Sequence, residues 1–235
     1  MSIDLGANKP RIAVIQFPGS NCDSDCFDAL HRHFGIKAEG VWHQDRLPDK
    51  TDAIVLPGGF SYGDYLRGGA LASHSPIMED VKAFVDKGGP AIGICNGFQV
   101  LTESGLLPGA LLTNSSQKFV CKITGLAAGE GKSTYQAIDQ TLRIPVAHGE
   151  GRYYIDDEGL ARLKGEGLVA YRYVDADGNA SADANPNGAV DNIAGVVSEN
   201  GRVLGLMPHP ERACDELLGS DDGLRVWESF FASFL

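Results

Sequence analysis

The chain has 235 residues, 43% of them hydrophobic and 22% charged, which is the make-up of a globular protein large enough for one substantial domain or two small ones. Its 20 Lys and Arg against 31 Asp and Glu leave a formal charge of −11, a field that repels phosphate backbones and argues against a nucleic-acid module. No run approaches the ~18 apolar residues of a membrane span.

Met1–Gly6 carries neither a basic nor an apolar leader region. The five cysteines, Cys22, Cys26, Cys95, Cys121 and Cys214, are odd in number and scattered, as expected of thiols in a reducing compartment. A cytoplasmic protein is expected. The chain is also rich in glycine, with 30 residues and no collagen-like period, which predicts many tight turns and close backbone approaches.

Arg11–Gln16 is a short β-branched run ending at Pro18-Gly19, the pattern of a strand buried on both faces. Asn21 or Asp23 is placed to cap a helix reaching about Phe34, with Phe27, Leu30, His31 and Phe34 at helical spacing and Gly35 as its stop. Ala38–Trp42 and Thr51–Leu56 read as the second and third strands. Pro76 suits the first position of a helix whose stripe is Ile77, Val81, Phe84 and Val85, ended by Gly88-Gly89. Pro90–Ile94 is a fourth strand, followed by a helix from about Asn96 to Ser104. This alternation predicts an α/β layered fold with a largely parallel central sheet.

After Gly105 the rhythm changes. Lys118–Ile123, Leu142–Val146, Val169–Tyr173, Ile193–Ser198 and Val203–Met207 are strand-like with little helix between them, and are expected as antiparallel strands at an edge of the same sheet. Leu217–Leu235 holds a closing helix with Leu224, Trp227, Phe230 and Phe231 on one face. Asp175–Asn192 is a polar loop long enough to be functional or mobile. No repeat or linker divides the chain, so residues 1–235 are expected to form one domain.

Three local patterns fail on their spacing. Gly131-Lys132-Ser133 ends like a phosphate-binding loop, but Leu126 stands where that motif needs glycine. Asp175–Asn179 begins like a calcium loop, but Ala180 and Pro186 occupy its sixth and twelfth positions. Cys22 and Cys26, four apart on the first helix, have no paired Cys or His to complete a metal site and read as ordinary thiols. No metal is expected.

The strongest signal is Gly93-Ile94-Cys95-Asn96-Gly97 between a buried strand and a helix, the sulfur version of a nucleophile elbow. The sharp turn needs small neighbours two positions on either side, and Gly93 and Gly97 supply them. Cys95 then stands at a helix N-terminus, where the positive end of the macrodipole favours an anionic sulfur. Packing glycines around a buried cysteine are the plainer explanation.

A cysteine nucleophile needs a base and a group to orient it. Of six histidines, His31 and His33 lie on the first helix, His43 and His74 lie in loops, and His148 stands among glycines in a mobile-looking turn. His209 follows a strand between Pro208 and Pro210; extended geometry there places Glu211 beside it at i+2. A proline-stiffened surface turn is the alternative. Candidate oxyanion donors are the amide after the nucleophile, Asn96, and those of the strand-ending glycines Gly58 and Gly59, for which a plain turn is the alternative.

The elbow, Pro57-Gly58-Gly59 and Pro208-His209-Pro210-Glu211 together resemble the class I (triad) glutamine amidotransferases. Phe17–Asp23, Leu56–Arg67, Gly93–Gln99, His148–Arg152 and Asn185–Gly188 narrow the resemblance to the glutaminase subunits of phosphoribosylformylglycinamidine synthase, over almost the whole chain. Ala189 and Gln16 depart from the family pattern, where Ser and Arg are usual. The resemblance implies a flavodoxin-like fold with helices on both faces of the sheet. It also implies Cys95 as nucleophile, His209 and Glu211 as base and orienter, Gly59 and Asn96 as the oxyanion hole, and Gln99 and Gly58 as substrate contacts.

It further implies no cofactor on this chain. ATP and Mg are expected on a synthetase partner that uses the released ammonia, with a small accessory subunit in the complex. A cysteine hydrolase of peptidase or deglycase type shares the architecture and is the alternative. Such relatives usually carry a His directly after the cysteine, where Asn96 stands here.

Overall fold

Strand β1 (Ile12–Gln16) is a branched run whose Val14 and Ile15 are wholly buried. Such a strand needs neighbours on both edges, and it pairs in parallel with β2 (Glu39–Trp42) and β3 (Ala53–Leu56). Between β1 and β2 runs α1 (Asp23–Phe34), stopped by Gly35 in the left-handed conformation at φ 61°, its amide bonded to His31 O. The cap position is taken by Cys22 without a side-chain bond, rather than by Asn21 or Asp23; Asp23 and Asp25 sit in the first turn, where acids favour the helix dipole. The computed structural model describes residue 5, residues 9–131 and residues 133–235. The leader reading of Met1–Gly6, except at Leu5, and Lys132 of the phosphate-loop-like stretch lie outside the described residues.

Helix α2 (Ile77–Asp86), β4 (Ala91–Ile94) and α3 (Asn96–Glu103) follow as the sequence predicts. Then come β5 (Ala110–Leu112), β6 (Val120–Ala128), β7 (Leu142–His148), β8 (Arg152–Tyr154), α4 (Asp157–Gly165), β9 (Val169–Val174), β10 (Ile193–Val197), β11 (Val203–Leu206) and α5 (Gly223–Ala232). One nine-stranded sheet has the order β2-β1-β3-β4-β11-β10-β9-β6-β7, and β5 and β8 form a separate pair. All pairings from β2 to β11 are parallel, and those beyond it antiparallel. The fold is therefore mixed α/β, with a parallel centre and an antiparallel extension.

Three features differ from expectation. Strand β11 is not one of the antiparallel additions; it lies beside β4 in parallel, Gly205 opposite Gly93 and Leu206 opposite Ile94. Helix α4 is absent from the sequence reading because only Leu163 of its residues is buried, so almost no apolar stripe marks it; Asp156 caps it by accepting from Gly159 N at 2.8 Å. The closing helix begins at Gly223, since Gly219 at φ 103° ends a separate turn over Glu216–Leu218. Trp227, Phe230 and Phe231 are fully buried, and Phe231 meets Phe34 of α1 edge-on at 4.9 Å.

Because β1, β3, β4 and β11 run parallel, their carboxyl ends open at one edge of the sheet. The segments Phe17–Cys22, Pro57–Gly59, Cys95 and Met207–Glu211 all leave from there, which is where α/β folds form their sites.

Candidate active site

Cys95 leaves β4 at φ 51° and ψ −104° and heads α3, a backbone conformation that costs a non-glycine residue on the order of 1–3 kcal/mol and persists only when its surroundings enforce it. Its amide is held by Leu206 O of β11 at 2.8 Å. A Cβ on Gly93 would stand 2.5 Å from Leu101 and 2.6 Å from Gly97 O, and one on Gly97 would overlap the Leu56 carbonyl. Both glycines are thus required by the closeness of α3 to β3 and β4. The sulfur is nearly buried, and its thiol faces Ala147 O at 3.8 Å.

His209 is 1% exposed, and its amide donates to Pro145 O at 2.8 Å. Its Nδ1 donates to Glu211 Oε1 at 2.6 Å, within a pair that is buried on both sides. Pro210 and Glu211 form a tight turn rather than continued strand, yet the side chains meet as the spacing predicts. Nε2 has no partner among the described residues. Burial works against a charged imidazole here, but Glu211, followed by Cys95, outweighs it, so His209 holds its proton well above the ordinary histidine range.

A cleft of about 130 Å³ is lined by Cys95, His209, Gly59 and Arg212, with the half-exposed rings of Phe60 and Phe119 beside it, 6.5 Å apart. A larger groove of about 780 Å³ lies at the amino ends of the parallel strands, around the mutually paired Arg11 and Asp52, and holds none of the predicted site residues.

Gly59 sits at φ 143°, pressed so closely on Gly19 and Asn21 that a Cβ would stand 2.8 Å from Gly19 O. The flanking peptides pair across this contact, Phe60 N with Gly19 O and Cys22 N with Gly58 O. The Gly59 amide therefore points away from that segment, on the residue that lines the cleft. The Asn96 amide is among those a helix start leaves without an intrahelical acceptor. The Asn96 side chain ties the elbow to the loop after Gly59: its oxygen accepts from Ser61 N at 3.1 Å, and its nitrogen donates to Asp64 and to Gln99 Oε1.

Gln99 and Gly58, expected as substrate contacts, do not line the cleft. Gln99 spends its amide on Asn96 and on Glu150 O, the latter at 2.7 Å. Gly58 is a spacer: a Cβ there would lie 2.8 Å from His209 Cε1 and 3.0 Å from Cys22 Sγ.

Two groups near the cleft escape the sequence reading. His148 is not in a mobile turn but is the buried end of β7. Its Nδ1 meets Asn114 Oδ1 at 3.2 Å and its Nε2 meets Asn187 Nδ2 at 3.4 Å; Asn187 also binds Gly151 O and Tyr173 Oη. Burial first, then the charge of His209, push His148 down to about 4, so it is neutral at pH 7, with Nδ1 as donor and Nε2 as acceptor. The Asp175–Asn192 loop thereby contributes Asn187 to a buried network.

The second group is Cys22, a buried lining residue of the cleft. Cys22, His209 and Glu211 bring ligand atoms within 4.8 Å of one another. A metal would nevertheless compete with the Glu211–His209 bond and with Arg212 Nη2, a cation 3.0 Å from the Cys22 sulfur. All five cysteines are free thiols. Among the described residues no helix is long and apolar enough to cross a membrane.

Residues 9–230 match the CobB/CobQ-like glutamine amidotransferase domain. The chain is 56% identical over 217 residues to phosphoribosylformylglycinamidine synthase subunit PurQ of Thermus thermophilus, covering 91% of this chain and 94% of that one. The chain belongs to the PurQ family. Another family member, the PurQ subunit of Chlorobaculum parvum, is 52% identical over 225 residues, with 94% and 89% covered. A solved structure of PurLQS from Thermotoga maritima contains a chain 44% identical to this one, with a TM-score of 0.82 and coverage of 96% and 99%. A glutamine amidotransferase from Thermotoga maritima at 14% identity and TM-score 0.61 shares the fold alone. Membership in the PurQ family does not favour the cysteine-hydrolase alternative.

Proposed function

We propose that this chain is the glutaminase subunit of a phosphoribosylformylglycinamidine synthase. The observation that carries the reading is the placement of Cys95, on a strained elbow, in one cleft with the buried His209–Glu211 pair, in a chain belonging to the PurQ family. With the thiol proton of Cys95 held on His209 Nε2, Cys95 Sγ attacks the side-chain amide carbon of glutamine, and the C–O double bond opens to an oxyanion held by the Gly59 and Asn96 amides. Each such donor contributes on the order of 10²–10³ in rate. His209 passes its Nε2 proton to the departing nitrogen, the C–N bond breaks, and ammonia leaves a γ-glutamyl thioester. His209 Nε2 then takes a proton from water as its oxygen attacks the thioester carbon; the C–S bond breaks, glutamate departs, and the Cys95 sulfur and its proton on His209 are restored. Glu211 keeps Nδ1–H fixed and supports the charged imidazole in both halves.

Gly58 and Gln99 act from behind: the first lets His209 approach, and the second fixes Asn96. The ammonia goes to a synthetase subunit, which with ATP and Mg converts formylglycinamide ribonucleotide to its amidine in the cytoplasm, and a small accessory subunit completes the complex. The test is glutamate release from glutamine by the purified chain, alone and with synthetase, accessory subunit, ATP and ribonucleotide. Release in the assembled complex is expected. A folded protein that releases none under either condition would overturn the reading.

A further inference from the structure

The Gly59 amide serves the cleft only while its peptide keeps its direction, and glycine, with the widest choice of backbone conformation, does not fix that direction itself. Its neighbours do. Gly58 O accepts from Cys22 N at 3.3 Å, Phe60 N donates to Gly19 O at 3.0 Å and Tyr62 N donates to Pro18 O at 2.6 Å, so alternate residues of 58–62 are laced to the loop after β1. Between them Ser61 N turns the other way, to Asn96 Oδ1 on the elbow. The peptide that carries the Gly59 amide is held by the longest of these rungs, and its direction depends on the two that follow. The last rung sits on strained backbone. Tyr62 stands at φ 54°, followed by Gly63 at 68°, Asp64 at 53° and Leu66 at 75°, a left-handed run that a bulky side chain adopts only when its surroundings enforce it. At Tyr62 the enforcement comes from the hydroxyl, which lies 2.9 Å from His43 Nδ1 and 2.9 Å from Ser75 Oγ, on two buried side chains. It donates its one proton to one of them and accepts from the other, so both bonds stand together. The anchor is itself fixed: His43 N donates to Gln16 O, His43 O accepts from Ile77 N, and the imidazole packs edge-on against the Tyr62 ring at 5.6 Å.

We propose that Tyr62 is a positioning residue for the oxyanion hole: its hydroxyl, held between His43 and Ser75, pins the left-handed turn that ends the ladder and so keeps the Gly59 amide turned to the cleft. The inference rests on the role of Gly59 proposed above. Tyr62 does not line the cleft, so its effect passes through the backbone. Without the hydroxyl the turn keeps its strain and loses its anchor. The rung to Pro18 then opens more often, and the Gly58–Gly59 peptide gains room to rotate. The oxyanion exists only after attack on the amide, so a misaligned donor lowers kcat and leaves glutamine binding nearly as it was.

The experiment compares Tyr62→Phe, His43→Ala and His43→Asn with the unmodified protein in the assembled complex, reading glutaminase kcat and KM and the hydrogen exchange of backbone amides in the absence of glutamine. Tyr62→Phe is expected to lower kcat by roughly 5- to 50-fold, below the 10²–10³ of a donor lost outright, with KM within about twofold. The Phe60 and Tyr62 amides are expected to exchange about tenfold faster or more, whereas the Cys95 amide, bonded to Leu206 O, keeps its rate. His43→Ala is expected to act in the same direction, and His43→Asn, whose side-chain amide offers a polar atom near the place of Nδ1, to recover most of kcat. Ammonia-driven synthesis by the same preparations reports that the complex is assembled. The inference is overturned by a Tyr62→Phe kcat within twofold of the unmodified value, by unchanged exchange at Phe60 and Tyr62, or by exchange that quickens equally at Cys95. Should Tyr62→Phe not fold, a higher kcat in His43→Asn than in His43→Ala sustains it and equal values overturn it. Exchange needs no turnover, so a complex that releases no glutamate would sink the glutaminase reading while the amides of Phe60 and Tyr62 still decide whether the hydroxyl holds this segment.

Discussion

Cys95→Ala is expected to lower glutamine-dependent amidine synthesis by the full complex more than about 10⁴-fold, the scale seen when a covalent nucleophile is removed and only binding and oxyanion contacts survive. Synthesis driven by added ammonia is expected to continue at the rate of the unmodified complex. The two outcomes separate because the substitution removes one sulfur and leaves the elbow in place. Alanine keeps the Cβ that cysteine already carries at φ 51°, and the amide bond from residue 95 to Leu206 O involves backbone alone. Steady-state rates with glutamine and with an ammonium salt, on the same assembled preparation, check the expectation. Loss of both in a folded and assembled complex would mean that Cys95 matters for architecture or docking rather than for glutamine cleavage.

Glu211→Gln is expected to reduce glutaminase kcat by roughly 10²–10⁴-fold, with KM for glutamine little changed, as in other triads whose orienting carboxylate becomes an amide. The substitution is nearly isosteric, so the effect is electrical. The carboxylate accepts from His209 Nδ1 at 2.6 Å inside a buried pair. A neutral amide supports the charged imidazole poorly, and if its NH₂ turns toward Nδ1 it imposes the tautomer that places the proton on Nε2. Glu211 also raises the proton affinity of His209 against burial. The sign of the pH effect follows: with Glu211 gone, His209 loses its proton at lower pH, and the alkaline limb of the rate profile moves inward. A variant within about tenfold of the unmodified kcat and with an unmoved alkaline limb would show that the pair is structural.

The features legible in the sequence were the local ones. The Cys95 elbow declares itself because the glycines that permit it lie two residues away on each side, and the His209–Glu211 contact because two prolines stiffen an i, i+2 pair. The parallel half of the sheet shows for the same reason: each branched strand and striped helix carries its own period. What stayed hidden depends on partners distant in the chain. The central place of β11 comes from its ladder with β4, and nothing in Val203–Leu206 itself says which strand it will adjoin.

His148 looks mobile because Gly149 and Gly151 surround it. Asn114 and Asn187, supplied by two other loops, make it buried and rigid. Cys22 reads as an ordinary thiol until Gly58, Arg212 and His209 are brought around it. Gln99 lies one helical turn beyond Cys95, which suggests the substrate, but its amide is taken by Asn96 and Glu150.

The central claim is that Cys95 forms a covalent bond to the glutamyl group, and acid-quenched mass spectrometry of the turning-over complex tests it directly. Mixing the complex with glutamine, ATP and ribonucleotide, quenching within a turnover and digesting the chain should yield the Cys95 peptide carrying one γ-glutamyl group, sensitive to hydroxylamine as a thioester is. No such adduct should form on Cys22, Cys26, Cys121 or Cys214. Glutamate release with the adduct on another cysteine, or with none on Cys95 when turnover is slowed enough for a thioester to accumulate, would contradict the account.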